Sequence, residues 1–435
     1  MTTSFDTSVR IPIRTTITCP NCWHEFSPED TLWIASHPAL VGDPRVGADE
    51  QQRFLPTRFD VTGNAIDSQG ERCTDLACPD CHLPIPRAVL ELDPFVASVV
   101  GAPSSGKSYF LASMTWQTRQ TMAREFLLSF TDADTVCNEI LNSYEERQFF
   151  NPERGKPVKL AKTAEEGDWY NSISFGDQAK RLPKPFLFAI RPSEEHPNSK
   201  YARKTSRLLT IYDNAGESFL PGRDTAVNQV TRHLSQSDVL LFLYDPTQSP
   251  AFREKCSSIS QDPQVHDVQI NVVQERIFHE VASRIRKHKG LSETEKCSQP
   301  VIVVVTKYDI WGPLLDNVTL PSPWVPMASN SGHAIHTGFV EEVSNRVRKL
   351  LLEYSPELVR GVEAFSEKTL FIPVSATGVS PTRARTKDGK LVVGGIRPQD
   401  IQPVWIEVPL IYTLAKWDKY VVPFANGTLK STNGT

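Results

Sequence analysis

Gly101-Ala-Pro-Ser104-Ser105-Gly106-Lys107-Ser108 sets two glycines, a lysine and a hydroxyl at the spacing G-x-x-x-x-G-K-S. The glycines let successive backbone N–H groups curl around a β-phosphate, and a helix opening at the loop adds the positive end of its dipole. Lys107 then reaches β and γ oxygens, and the Ser108 hydroxyl suits Mg2+. Two more acidic stretches close apolar runs: Asp213-Asn-Ala-Gly216-Glu217 and Thr306-Lys307-Tyr308-Asp309.

A second chemistry lies upstream. Cys19-Pro-Asn-Cys22 and Cys78-Pro-Asp-Cys81 supply four thiolates, the donor set of a closed, structural Zn2+ site of the zinc-ribbon type. A redox Cys-x-x-Cys would open a helix near a strand-helix-strand unit, and neither pair does. The segment between the pairs is longer than in common ribbons, which adds little closure entropy. Cys73, His24 and His82 are near enough in sequence to substitute as ligands, while Cys137, Cys256 and Cys297 read as packing thiols.

The elements that must position these groups follow from periodicity. Phe95 to Val100 is an apolar strand leading into the phosphate loop, and Ser108 to Arg124 has helical spacing. Strands are predicted at Pro185 to Ile190, Leu208 to Tyr212, Val239 to Tyr244, Val301 to Val305 and Thr369 to Val374. Helical spacing recurs at Val265 to Lys287, His333 to Leu352 and Ile406 to Trp417. This alternation predicts an α/β fold with a doubly wound, mainly parallel sheet, whose ligands bind at the carboxyl ends of the strands.

Residues 1–93 lack a sustained period and are expected to be a metal-binding module; residues 94–420 form the phosphate-loop domain, and 421–435 a flexible tail. Within the larger unit, about 132–184 and 378–397 read as insertions or mobile loops. Hydrophobic residues at 39% and charged residues at 23% fit a folded globular chain, and a net charge of -4 gives no global pull toward nucleic acid or anionic lipid. No apolar run reaches the ~20 residues that span a bilayer, so a cytoplasmic protein is expected.

The order of these motifs resembles the P-loop GTPases with a Ras-like G domain. Thr306-Lys307-Tyr308-Asp309 is similar to the N-K-x-D loop of their translation-factor-like (TRAFAC) class, and Phe371-Ile-Pro-Val-Ser375-Ala376-Thr377 to their S-A-K segment. The ribbon, with Gly395-Ile-Arg-Pro398 and Pro409-Leu-Ile-Tyr-Thr-Leu414, resembles bacterial double-GTPase proteins of conflict and defence systems.

The resemblance implies GTP or GDP with Mg2+. Asp309 would accept from guanine N1 and N2, the Lys307 stem would lie over the ring, and a backbone N–H of Ser375, Ala376 or Thr377 would approach O6. Asp213 would reach Mg2+ through water, and the Gly216 N–H would bond the γ-phosphate. Thr306 replaces an Asn whose amide ties the base loop to the phosphate loop. Glu217 stands where many relatives carry a water-orienting Gln; its charge beside a phosphoryl group predicts slow intrinsic hydrolysis.

Thr163, Ser172 and Ser174 are all open as the switch I ligand, and Arg181, Arg203 and Arg207 lie in loops without an assigned role. The family implies a nucleotide-controlled switch acting on a protein partner. A non-hydrolysing scaffold whose ribbon recognises protein or nucleic acid is the alternative. An ATP-driven motor would want an acidic pair after a strand, where Val239 to Asp245 has one Asp. A separate ribbon would unfold on chelation and leave nucleotide binding intact.

Overall fold

A computed structural model describes residues 13–160, 170–176, 178–214, 219, 230–266, 273–315, 320–328, 332–385, 391–418 and 420–425. Seven strands make its central sheet: β1 (Asp93–Gly101), β2 (Leu128–Asp132), β3 (Phe186–Pro192), β4 (Arg207–Asp213), β5 (Val239–Tyr244), β6 (Val301–Val305) and β7 (Thr369–Pro373). Their order is β2-β3-β4-β1-β5-β6-β7. β1 runs parallel to β4 and β5, β6 to β5 and β7, while β3 is antiparallel to both β4 and β2. Omitting the edge strand β2, this is the strand order of the Ras-like P-loop fold, an α/β, mainly parallel, doubly wound sheet.

The sequence explains the burial. Val-Leu-Leu-Phe-Leu-Tyr in β5 and Val-Ile-Val-Val-Val in β6 are buried at every position, as strands covered on both faces must be. The principal helices are α1 (Lys107–Glu125), α2 (Glu139–Phe149), α3 (Val230–Gln236), α4 (Gln274–Lys289), α5 (Thr337–Tyr354), α6 (Pro356–Phe365) and α7 (Val408–Lys416). No helix among the described residues is long and apolar enough to cross a membrane.

Several expectations are corrected. The described residues of 132–184 carry regular elements: α2 lies on α1, with Trp116 stacked on Phe149 at 5.2 Å and the Thr115 hydroxyl on Glu145 at 2.5 Å. A hairpin pairs Tyr170–Phe175 with Gln178–Pro183. The second insertion carries the hairpin Arg383–Arg385 with Leu391–Val393. His333–His336 is a strand, and the helix starts only where His336 Nδ1 accepts from the Phe339 N–H at 2.9 Å. Val421 and Val422 are buried and Phe424–Ala425 pairs with that strand, so the first residues of the expected tail are packed.

The amino-terminal module is a set of short antiparallel pieces, the largest a four-stranded sheet that includes Leu32–Ile34 and Leu76–Ala77. Its apolar cluster of Ile17, Phe26, Leu76 and Ile85 continues into Leu187 and Ala189 of β3, Leu208 of β4, and Ile173 and Leu182 of the hairpin. The module therefore shares a core with the sheet. β3 and β4 have an apolar face to cover, and the ribbon covers it.

Glu407, at the start of α7, is almost fully buried beside Thr121, and burial pushes its carboxyl up to about 7 from 4.5. Below 4.5 both folded and unfolded chains hold the proton; as pH rises toward 7 only the unfolded chain gives it up, so stability falls and stays lower above 7. Glu407→Gln should therefore stabilise the protein by up to about 3 kcal/mol at pH 8 and by little at pH 4, measured by denaturant unfolding at both.

Candidate nucleotide and metal sites

β1 delivers the phosphate loop at the carboxyl edge of the sheet. Ser104 and Gly106 take positive φ, 64° and 92°, which turns the chain back before α1 begins at Lys107. A Cβ on Gly101 would stand 2.9 Å from Leu243 Cβ, whereas one on Gly106 would meet nothing within 4 Å. The first glycine is thus required by packing against β5, the second by backbone conformation. Lys107 Nζ, mostly buried, donates to the Gly101 carbonyl at 3.2 Å, so its charge lies across the loop. Ser105 Oγ is buried without a partner among the described residues. An open cradle, an orphaned hydroxyl and a lysine over the loop fit a phosphate with its Mg2+.

β6 ends at Thr306 in the same place. Its hydroxyl lies 3.3 Å from the Ser105 carbonyl and 3.2 Å from that of Tyr244, so Thr306 does connect the loop after β6 to the phosphate loop. A hydroxyl does what the missing amide was expected to do. Lys307 sits at φ 58°, and its ammonium pairs with the wholly buried Asp245 and donates to Gln264 Oε1 at 2.8 Å. Asp245 is held in turn by the Thr247 hydroxyl at 2.6 Å, and Gln248 Nε2 reaches the Pro103 carbonyl of the phosphate loop at 3.3 Å.

Asp309 accepts from the Ser375 hydroxyl at 2.6 Å, and Ser375 Oγ accepts from the Gly378 N–H at 2.8 Å. Burial raises the Asp309 carboxyl above the usual range, against the lowering effect of the Ser375 hydrogen bond. The Ser375-Ala376-Thr377 turn is also tied to α1, where the Ser113 hydroxyl donates to the Ala376 carbonyl at 2.8 Å. Gly378, at φ 69°, passes so close to Gln402 that a Cβ would lie 2.0 Å from its carbonyl oxygen. Thr377 turns its hydroxyl onto the Val379 carbonyl at 2.9 Å.

β4 brings Asp213 to the same edge. Gly216 and Glu217 lie outside the described residues, as does Thr163. Ser172 and Ser174 are on the hairpin, where the Ser174 N–H bonds the Arg45 carbonyl of the ribbon at 2.7 Å. What the inserted region places between Ser108 and Asp213 is Tyr144 of α2: its side chain bonds Ser108 and feels the charge of Asp213, and burial raises its phenol pKa. Arg207 is paired with Asp418 at 2.5 Å and Arg181 lies over Tyr170 at 4.6 Å. Sequence reasoning did not find Tyr144 or Gln264, and Asp245 entered it only as a lone acid after a strand.

At the amino terminus the four expected thiols converge: the Sγ atoms of Cys19, Cys22, Cys78 and Cys81 all lie within 4.8 Å of one another and all four residues are buried. Cys19 to Cys81 is 3.8 Å and Cys22 to Cys78 is 3.7 Å. Tetrahedral Zn–S bonds of ~2.3 Å require sulfur separations of about 3.8 Å, whereas a disulfide would need ~2.0 Å. Each pair forms the same turn, with Asn21 N–H to Cys19 Sγ at 3.3 Å and Asp80 N–H to Cys78 Sγ at 3.4 Å. Trp23 and His82 follow at φ 62° and 60°. The suggested substitutes are not ligands: His82 Nδ1 pairs with Asp43 at 2.9 Å, Cys73 lies by Asp67, and His24 stacks on Phe26.

Fold and loop geometry together place the chain among P-loop proteins with a Ras-like sheet. No family model and no curated protein matches it. Among solved structures it is similar to the signal recognition particle receptor SRb-GTP/SRX complex from Chaetomium thermophilum, at 11% identity and TM-score 0.27 over 66% of this chain and 93% of that one. It is also similar to Era from Aquifex aeolicus bound to GDP.AlF4-, at 12% identity and TM-score 0.27, over 78% of this chain and 60% of that one. A third is translation elongation factor SelB from Methanococcus maripaludis with a GTP analogue, at 11% identity and TM-score 0.22, over 75% of this chain and 35% of that one.

Because ribbon and sheet share one core, removing zinc should lower the melting temperature of the whole chain by several degrees. The check is calorimetry with and without chelator beside elemental analysis giving one zinc per chain; a separately melting ribbon, or no zinc, contradicts it.

Proposed function

We propose that the protein binds GTP and GDP with Mg2+ and hydrolyses GTP slowly, working as a nucleotide-controlled switch on a protein partner. One observation carries the reading: peptides after β1, β6 and β7 meet at one sheet edge and are cross-linked there by Thr306 to Ser105, Asp309 to Ser375 and Ser113 to Ala376, with Asp213 ending β4 beside them near Tyr144 and Ser108. In this reading Gly101, Ser104, Ser105, Gly106 and Lys107 cradle the phosphates, Ser108 and Asp213 hold Mg2+, and Thr306, Lys307, Asp309, Ser375, Ala376 and Thr377 read the base. The Mg2+ neutralises charge on the phosphates.

Asp309 decides the base. Guanine offers N1–H and N2–H to one carboxylate; adenine offers no such pair, and a buried carboxylate facing it would be left unpaired. The Lys307 ammonium, fixed on Asp245, leaves its stem as an apolar wall for the ring. Gly216 and Glu217 are the proposed γ-phosphate contact and water-orienting group. The place in a bacterial conflict or defence system, and the TRAFAC double-GTPase assignment, rest on the sequence resemblance alone.

Calorimetric titration should show GDP and GTP binding at least about tenfold tighter than ATP, and Asp309→Asn should move the preference to xanthosine nucleotides, whose C2 oxygen accepts from the new amide. Binding needs Asp309 ionised. Since burial raises its pKa, GDP affinity should fall on acidification sooner than the ordinary range of an exposed aspartate would allow. Adenosine preference in the wild type would overturn the reading.

Phosphate release under multiple turnover should be slow, on the order of 1 per minute or less without a partner, and abolished in Lys107→Ala. Fast turnover of the isolated chain would contradict the role given to Glu217.

A further inference from the structure

The first cysteine turn holds both the end of β4 and the start of α3. β4 closes with Tyr212 and Asp213, and the chain returns from beyond Asn214 at α3 with Arg232 and His233. The wholly buried Tyr212 donates its hydroxyl to the Pro20 carbonyl, inside the Cys19-Pro-Asn-Cys22 turn, and its ring lies 5.8 Å from Trp23. From the other end, the exposed Arg232 forks onto the same turn, donating to the Trp23 carbonyl at 3.1 Å and the Cys22 carbonyl at 3.4 Å.

The two ends are also joined to each other. The Tyr212 and His233 rings stack at 4.5 Å, and His233 Nε2 meets Asn214 Oδ1 at 2.7 Å. Burial pushes the His233 imidazole down to about 3, so it is neutral and its Nε2–H is the donor. The Asn214 backbone N–H bonds the Val99 carbonyl at 3.2 Å, two residues before the phosphate loop. Contacts therefore run without a break from metal turn to the ends of β4 and α3 to phosphate strand.

We propose that the zinc-binding turn is a positioning device for the end of β4, Tyr212 to Asn214, and so for Asp213 at the nucleotide site. Tyr212 and Arg232 are its positioning residues, and they link metal occupancy to the nucleotide state. The inference rests on the guanine-nucleotide reading above. The carbonyls of Pro20, Cys22 and Trp23 hold fixed directions only while the Cys19 and Cys22 thiolates share an ion. In the triphosphate state the Mg2+ that Asp213 is proposed to hold also takes the γ-phosphate, which acts on the same contacts from the other side. Coupling of this kind is reciprocal: whatever the metal does for γ-phosphate binding, the γ-phosphate does for metal retention.

The test uses the full-length, zinc-loaded chain. Zinc loss into excess chelator is followed with a metal indicator, in Mg2+ alone, in Mg-GDP, and in Mg2+ with a non-hydrolysable GTP analogue. The analogue should slow zinc loss about fivefold relative to Mg-GDP. Arg232→Ala and Tyr212→Phe should bring that ratio to about one and lower the preference for analogue over GDP by a similar factor, with GDP binding in the absence of Mg2+ unchanged. Arg232→Lys, which keeps the charge but not the fork, should recover part of the effect.

Zinc loss indifferent to nucleotide in a wild type that binds GDP, or variants that keep the full ratio, overturn the proposal. If Tyr212→Phe loses zinc and GDP together it has misfolded, and Arg232→Ala, altered on an exposed side chain, decides. A wild type that binds no guanine nucleotide sinks the nucleotide reading itself and takes this inference with it.

Discussion

β5 and β6 are buried along their entire length, so neither strand can present a polar side chain until it ends. That restriction organises everything else. A sheet covered on both faces pushes its chemistry to the strand termini, and parallel strands put those termini on one edge. Asp245 and Thr306 each follow the last apolar residue of a strand, and Asp213 closes one. Gly101 closes β1 because the neighbouring Leu243 leaves no room for a side chain.

Polar groups crowded at such an edge must satisfy one another. Asp245 shows how: it is fully buried, it takes the Lys307 ammonium, the Thr247 hydroxyl and backbone N–H and the Gln248 amide, and through Gln248 it reaches the phosphate loop. Breaking a buried pair by removing one partner typically costs about 3 to 5 kcal/mol, since a lone charge is left in the interior. Lys307 therefore has a structural duty as well as the base-side role proposed for it. Likewise Ser375 donates to Asp309 and caps its own turn, which joins the peptides after β6 and β7.

The ribbon belongs to this edge more than its separate sequence texture suggested. Small modules have little core of their own, and this one completes its core on β3, β4 and the inserted hairpin. In covering that face it sets the Cys19 turn against Tyr212, directly beside Asp213.

The sequence by itself determined the local pieces: the turn at Gly101 to Ser108, the apolar strands, and the two cysteine turns. Each of these is fixed by residue type at short spacing, through backbone sterics, period and ligand geometry. Only the tertiary structure decided that Thr306 would bond the phosphate loop, that Asp245 would take Lys307, that Tyr144 would stand on Ser108, and that the ribbon would hold Tyr212 and Arg232. Those contacts join residues tens to hundreds of positions apart, as Tyr212 and Pro20 are, separated by 192. No local period records which distant acceptor a side chain will meet, because that depends on how the whole sheet closes and which faces are left to cover.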